Sequence, residues 1–211
     1  MLTFIIIALV FIFSVIIHEV SHGLAALRLG DPTAKYMGRL TLNPVKHIDP
    51  IGSVLVPLIT YFAGGFIFGW AKPVPYNPYN LRDQKYGPAL VGVAGPVSNI
   101  LIALVFGFFL RVLLVTGQVS AVSQSAIGSV FSFAIMINVL LAFFNLIPIP
   151  PLDGSKLLFT FLPISEETKL RLEQFGFMFL LLVIYLLSGP ISIFLQAVQS
   201  LFFRVIVGIQ I

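Results

Sequence analysis

Long apolar runs separated by short polar segments dominate the chain. The first extends from about Leu2 to Leu27, the second from Ile51 to Trp70, the third from Gly87 to Val115 and the fourth from Ile127 to Ile147; the tail is apolar again from Phe175. A helix rises ~1.5 Å per residue, and about 20 apolar residues cross a hydrocarbon core of ~30 Å. The first, third and fourth runs are therefore predicted membrane helices. The second is interrupted by Pro57 and by Gly64 and Gly65, and the tail by Ser188, Gly189 and Pro190. That tail predicts either two short helices or one span plus an interfacial helix. The fourth run ends in Pro148-Ile149-Pro150-Pro151, through which a helix cannot continue. In the first loop, Gly38 to Pro44 alternates in polarity and predicts a short strand.

Composition fixes the class. Of 211 residues, 58% are hydrophobic and 9% charged, against about 25% charged in an ordinary soluble domain. A soluble fold of this size has too little interior to hide that much apolar surface. The expectation is an all-α polytopic membrane protein, one membrane-embedded domain over residues 1–211. It has a three-helix core, a re-entrant or bent second segment, C-terminal hydrophobic helices and a short β element in the first loop. The absence of cysteine excludes disulfides and thiolate metal sites. The net charge of +4 lies in short loops and reads as membrane orientation rather than nucleic-acid binding. The loop after the first run carries Arg28, Lys35, Arg39 and Lys46, which places it in the cytoplasm and the N-terminus outside. The N-terminus has no basic n-region and no small-residue cleavage site before Glu19, so it reads as a retained helix.

Chemistry enters at the end of the first run. Two of the three histidines lie in His18-Glu19-Val20-Ser21-His22, followed by Gly23. Residues four apart on a helix share a face, so both imidazoles reach one metal ion. Glu19, beside the first ligand, can then serve as general base, as in helical zinc metalloproteases. A carboxylate among aliphatic residues at membrane depth is expensive unless it is paired or functional. Zinc takes a third protein ligand and leaves one position open. Among eight acidic residues, Asp153 is the outstanding candidate. It follows the proline-rich end of the fourth run, and such extended backbone is tolerated at depth only when buried in protein or lining a cavity. Read alone, Asp153 would be a helix cap before Gly154. His47, the third histidine, reads as a solvated or interfacial loop residue.

Three motifs together resemble the site-2 protease family of intramembrane zinc metalloproteases: His18 to Gly23, Ala94-Gly95-Pro96-Val97-Ser98-Asn99, and Asn145 through Gly154. Gly38 to Pro44 and Trp70 to Pro78 resemble its compact bacterial or archaeal branch, and 211 residues leave no room for the PDZ or CBS domains of some members. The resemblance implies one zinc ion per chain, held by His18, His22 and Asp153, with Glu19 as catalytic base. It implies that Asn99 contacts substrate or helps stabilise the oxyanion. Asn145 has the same standing as Asn99 as a substrate-binding candidate. From the residues alone, Asn99 reads first as a capping or helix–helix hydrogen-bonding group, and Asn145 as an amide that satisfies carbonyls freed by the prolines. The implied partners are transmembrane protein substrates and the lipid bilayer, with no nucleic acid and with homo-oligomerisation left open. The implied location is a prokaryotic cell membrane, with the site toward the cytoplasmic face. An extended substrate could pair with the predicted strand, which makes Leu40 and Leu42 substrate-binding candidates.

For one site to form, Asn99, near the start of the third run, and Asp153, after the fourth, must share a depth with His18. The second run must then leave and return on one side, as a re-entrant hairpin or bent segment hinged near Pro57 or Gly64-Gly65. Arg111 would snorkel toward the opposite side. The competing class is a membrane metal transporter or metal-binding sensor, which would predict further intramembrane acids or histidines along a path.

Overall fold

The structure is a computed structural model that describes residues 1–64, 69–118, 125–162 and 164–209. Its elements are helical. Helix α1 (Leu2–Arg28) leads to a short α2 (Thr33–Tyr36) and a 3-10 turn at Pro44–His47. A wide helical turn at Pro50–Leu55 opens into α3 (Val56–Gly64). Then come α4 (Gly87–Val115), α5 (Ala126–Asn145), α6 (Gly154–Phe161) and α7 (Glu166–Phe202). Among the described residues, four helical segments are long and apolar enough to cross a membrane: Leu2–Arg28, Gly87–Val115, Ala126–Asn145 and Glu167–Val207. The chain is thus an all-α, multi-pass integral membrane protein. In lipid every backbone polar group must be satisfied within the protein, which is why these apolar runs become helices.

Helices α1, α4 and α5 form the core. Water supplies no driving force between helices inside a bilayer, so association depends on close packing and interhelical hydrogen bonds. The buried positions of α4 supply both. Gly92, Gly95, Ala103 and Gly107 let neighbouring helices approach, and Asn99 supplies the polar contact. At the end of the bundle distant from His18, Ala103, Leu110, Ile135, Val139, Phe203 and Val207 make a dry cluster.

The second run behaves as a hairpin. Asp49 caps its start by accepting from the amides of Ile51 and Gly52. The helical part ends at Gly64; residues 65–68, which include Gly65 of the expected hinge, lie outside the described residues. The chain has come back by Trp70, whose amide donates to the Gly52 carbonyl at 3.0 Å while Ser53 Oγ donates to the Trp70 carbonyl at 2.8 Å. The segment therefore leaves and returns to one level rather than crossing.

Two expectations need correction. Gly38 to Pro44 forms bends and a turn, not a strand. Gly38 has φ +62, Pro44 starts the 3-10 turn, Asn43 caps it through the Val45 amide, and His47 Nε2 donates to the Thr41 carbonyl at 2.8 Å. These local bonds replace a ladder. The same contact makes His47 a buried residue, 3% exposed, and not a solvated one. The tail forms two helices that meet at a kink at Leu187 (φ −114, ψ 21), three residues before Pro190, whose ring displaces the preceding turn; this is the two-helix alternative expected from the break at Ser188, Gly189 and Pro190. Arg111 closes the far end, donating through Nη1 to the carbonyls of Val205 and Ile206 at 3.3 Å each.

Candidate metal centre

His18 and His22 project from one face of α1, and Asp153 arrives from the start of α6. His18 Nε2 and His22 Nε2 each lie 3.1 Å from the same oxygen, Asp153 Oδ2. All three residues are buried. The far nitrogen of each ring is fixed. His18 Nδ1 donates to Asn99 Oδ1 at 2.5 Å, and His22 Nδ1 donates to the Val91 carbonyl at 2.7 Å. With their protons held on Nδ1, both rings turn an Nε2 lone pair toward a carboxylate oxygen. Three electron-pair donors facing one another at this range repel unless a cation lies among them. The set therefore fits a metal ion, and its two imidazoles and one carboxylate are a zinc-type donor set with a position to spare.

The surrounding backbone makes room for this convergence. A Cβ on Gly95 would stand 2.4 Å from His22 Nε2 and 2.7 Å from His18 Cε1, so α4 can pass behind the imidazoles only with glycine there. A Cβ on Gly154 would meet the Leu146 carbonyl oxygen at 2.2 Å. Glycine thus lets the chain fold back onto the end of α5 and present Asp153.

Behind His18 runs a buried polar chain that the sequence reading missed. Asn99 Nδ2 donates to Asn138 Oδ1 at 2.7 Å and to the Ser14 carbonyl at 3.3 Å. Asn138 Nδ2 in turn donates to Ser14 Oγ and to the Ala134 carbonyl, both at 2.8 Å. These bonds fix the orientation of both amides and hence of the His18 ring. Asn99 is fully buried and its amide is committed to protein partners, which argues for an orienting role and against contact with substrate. The available signal was Asn138 itself, a primary amide in mid-helix among aliphatic residues.

Glu19 faces a cavity of about 230 Å³ lined also by His18, His22, Tyr76, Asn145, Asp153 and Lys156. Its Oε2 accepts from the Val74 amide at 2.8 Å. Val74 belongs to the extended segment that returns from the hairpin. Three further anchors hold that segment: the Lys72 carbonyl accepts from Arg39 Nη2 at 2.7 Å, the Lys72 amide donates to the His47 carbonyl at 2.9 Å, and the Asn77 amide donates to Asp31 Oδ2 at 2.7 Å. Asp31 also accepts from Thr33 and Asn80. Burial alone would raise its carboxyl, but these hydrogen bonds outweigh that and hold it below the usual carboxylate range. Burial pushes the Tyr76 phenol up. Asn145 reaches the cavity, although its Nδ2 donates to the Leu141 carbonyl at 2.9 Å. Leu40 packs with Val74 and Ala34 around Gly23, and Leu42 is exposed; neither lines the cavity. Lys156, also missed as a site residue, places Nζ 2.9 Å from Asp153 Oδ1.

The model of "Peptidase family M50" matches residues 112–187, a stretch that contains Asp153 and stops short of the two histidines. The protein named "Putative zinc metalloprotease YwhC" from Bacillus subtilis is 39% identical over 175 residues, covering 82% of this chain and 76% of that protein. The chain belongs to peptidase family M50. A second relative, "Putative zinc metalloprotease Rip2" from Mycolicibacterium smegmatis, is 29% identical over 188 residues, covering 89% of this chain and 68% of that protein. No solved structure matches. The M50 membership and the four apolar helical segments together make this a membrane-embedded metallopeptidase of the site-2 type.

Proposed function

We propose that this chain is an intramembrane zinc endopeptidase that cleaves peptide bonds in or near transmembrane segments of membrane proteins. One observation carries the reading: two imidazole lone pairs and one carboxylate oxygen converge on a single point beside Glu19, inside helices apolar enough to span a bilayer. The names of the relatives specify zinc, and the donor set suits it.

When bound, zinc polarises a carbonyl and lowers the pKa of a water molecule toward about 7. The chain's own groups do the rest. Asn99 and the Val91 carbonyl hold the two ligand rings in register, as outer partners of metal-binding histidines do. Glu19, steadied by the Val74 amide, takes a proton from the attacking water and passes it to the leaving amine. Asn145, at the cavity edge, can turn its amide toward substrate. A membrane helix hides its peptide bonds in internal hydrogen bonds, so the substrate must unwind to enter the cavity.

Seventeen residues precede His18, which sets it ~25 Å along α1. With the basic loop after α1 in the cytoplasm, the site lies below the cytoplasmic face of a prokaryotic cell membrane. A metal transporter using the same ligands is the rival. Among the described residues His18, His22 and Asp153 are the one group of three or more such donors able to share an ion, which does not support a transit path. The deciting variant is Glu19→Gln, assayed on a single-span model substrate with zinc measured in parallel. We expect cleavage to fall at least 100-fold with zinc retained. Unimpaired cleavage by Glu19→Gln would reject the mechanism.

A further inference from the structure

Lys156 lies one helical turn beyond Asp153, on α6. Its ammonium bonds Asp153 Oδ1 at 2.9 Å, leaving Oδ2 as the oxygen that faces both imidazoles. The stem lies along α4, since a Cβ on Gly92 would stand 3.1 Å from Lys156 Cβ and Cδ. Nζ sits 5.6 Å from the Tyr76 ring centre. The side chain therefore enters the cavity from α6 with its stem against α4, and it is 24% exposed there. An ammonium has three N–H donors, and among the described residues Asp153 is its one hydrogen-bond acceptor.

A purely structural account makes Lys156 the counterion of Asp153. The charge balance of the loaded site argues against that. Asp153 and Glu19 already match a divalent cation, so the ammonium is one positive charge in surplus. Peptide hydrolysis creates one negative charge, on the carbonyl oxygen, as water adds. A fixed donor aimed where charge develops, in a site with little water, is an effective way to lower the barrier.

We propose that Lys156 is a catalytic residue whose ammonium donates a hydrogen bond to the oxygen of the scissile carbonyl as it becomes an oxyanion. The inference rests on the peptidase reading above. The oxygen of water bonds to the carbonyl carbon, the C=O electron pair moves onto oxygen, and the water proton goes to Glu19. Lys156 keeps its proton and holds the charged oxygen. On collapse the C=O bond re-forms, the C–N bond breaks, and the amine leaves with the proton from Glu19.

The test uses the full chain in proteoliposomes with a single-span model substrate. Steady-state kcat and KM are measured for wild type, Lys156→Met and Lys156→Arg. In parallel, metal-stripped protein is titrated with cobalt(II) and followed by its visible d–d absorption. We expect Lys156→Met to lower kcat about 100-fold, with KM within about threefold of wild type and cobalt affinity lowered by no more than about tenfold, as for loss of an outer partner of a ligand, and Lys156→Arg to recover at least tenfold of the loss. A kcat for Lys156→Met within threefold of wild type would overturn the proposal. So would a loss of cobalt binding that parallels the loss of rate, because Lys156 would then act only by positioning Asp153. Should Lys156→Met fail to elute as folded protein, Lys156→Gln is judged by the same criteria. Absence of cleavage by the wild type overturns the peptidase reading and this inference with it; wild-type cleavage with an unaffected Lys156 variant overturns this inference alone.

Discussion

The two ends of the α1, α4 and α5 bundle are built on opposite principles. The end near Leu110 is dry, with Leu110, Ile135, Val139 and Phe203 touching through apolar atoms alone. The end near His18 buries Ser14, His18, His22, Asn99 and Asn138 on α1, α4 and α5, with Asp153 brought in at the start of α6. A dry contact needs only complementary shape, and loses little when one atom shifts. A polar cluster in lipid is held by directional bonds, and each missing partner leaves a desolvated group behind. The difference shows what the bundle is for. Its apolar end fixes how the helices approach, and its polar end uses that fixed approach to aim two imidazoles and a carboxylate at one point.

The largest effect should follow from breaking the convergence itself. Gly95→Val puts a branched side chain where His22 Nε2 already lies 2.4 Å from the Cβ position. Zinc content measured by atomic absorption should drop below one tenth of wild type, and activity with it. Full zinc occupancy in that variant would show that α4 does not press against the ligand rings.

A smaller and more selective effect should separate the two ends. Asn138→Leu removes the support of Asn99 and leaves Ser14 Oγ without its donor. Metal affinity should weaken by up to about tenfold, because Asn138 holds Asn99, the outer partner of the ligand His18. Leu110→Ala, at the dry end, should reduce stability by about 2 kcal/mol and leave metal affinity unchanged. Equal loss of affinity in both variants would mean that the ends are not independent.

Much of this division was legible in the sequence, and the reasons are local. His18 and His22 share a face by helical spacing alone, and Asp153 stood out because so few acids exist in so apolar a chain. The hairpin between Pro50 and Trp70 followed from the need to bring the start of α4 and the end of α5 to one depth. What stayed hidden depends on contacts between segments. The role of Asn99 could not be read without knowing that Asn138 stands beside it on α5. The expected strand at Leu40 and Leu42 failed because alternation describes one segment, while a strand needs a partner, and Asn43, Pro44 and His47 satisfy that backbone locally. Lys156 was missed because the sequence does not show that α6 turns it back along Gly92.

The most direct test of the central claim is X-ray absorption at the zinc edge of the purified full chain, compared with Asp153→Ala. The account predicts one zinc per chain with two imidazole nitrogens at about 2.0–2.1 Å and a carboxylate oxygen at about 2.0–2.2 Å, the oxygen shell diminished in the variant. A protein that binds no zinc, or a zinc shell without paired imidazoles, would contradict it.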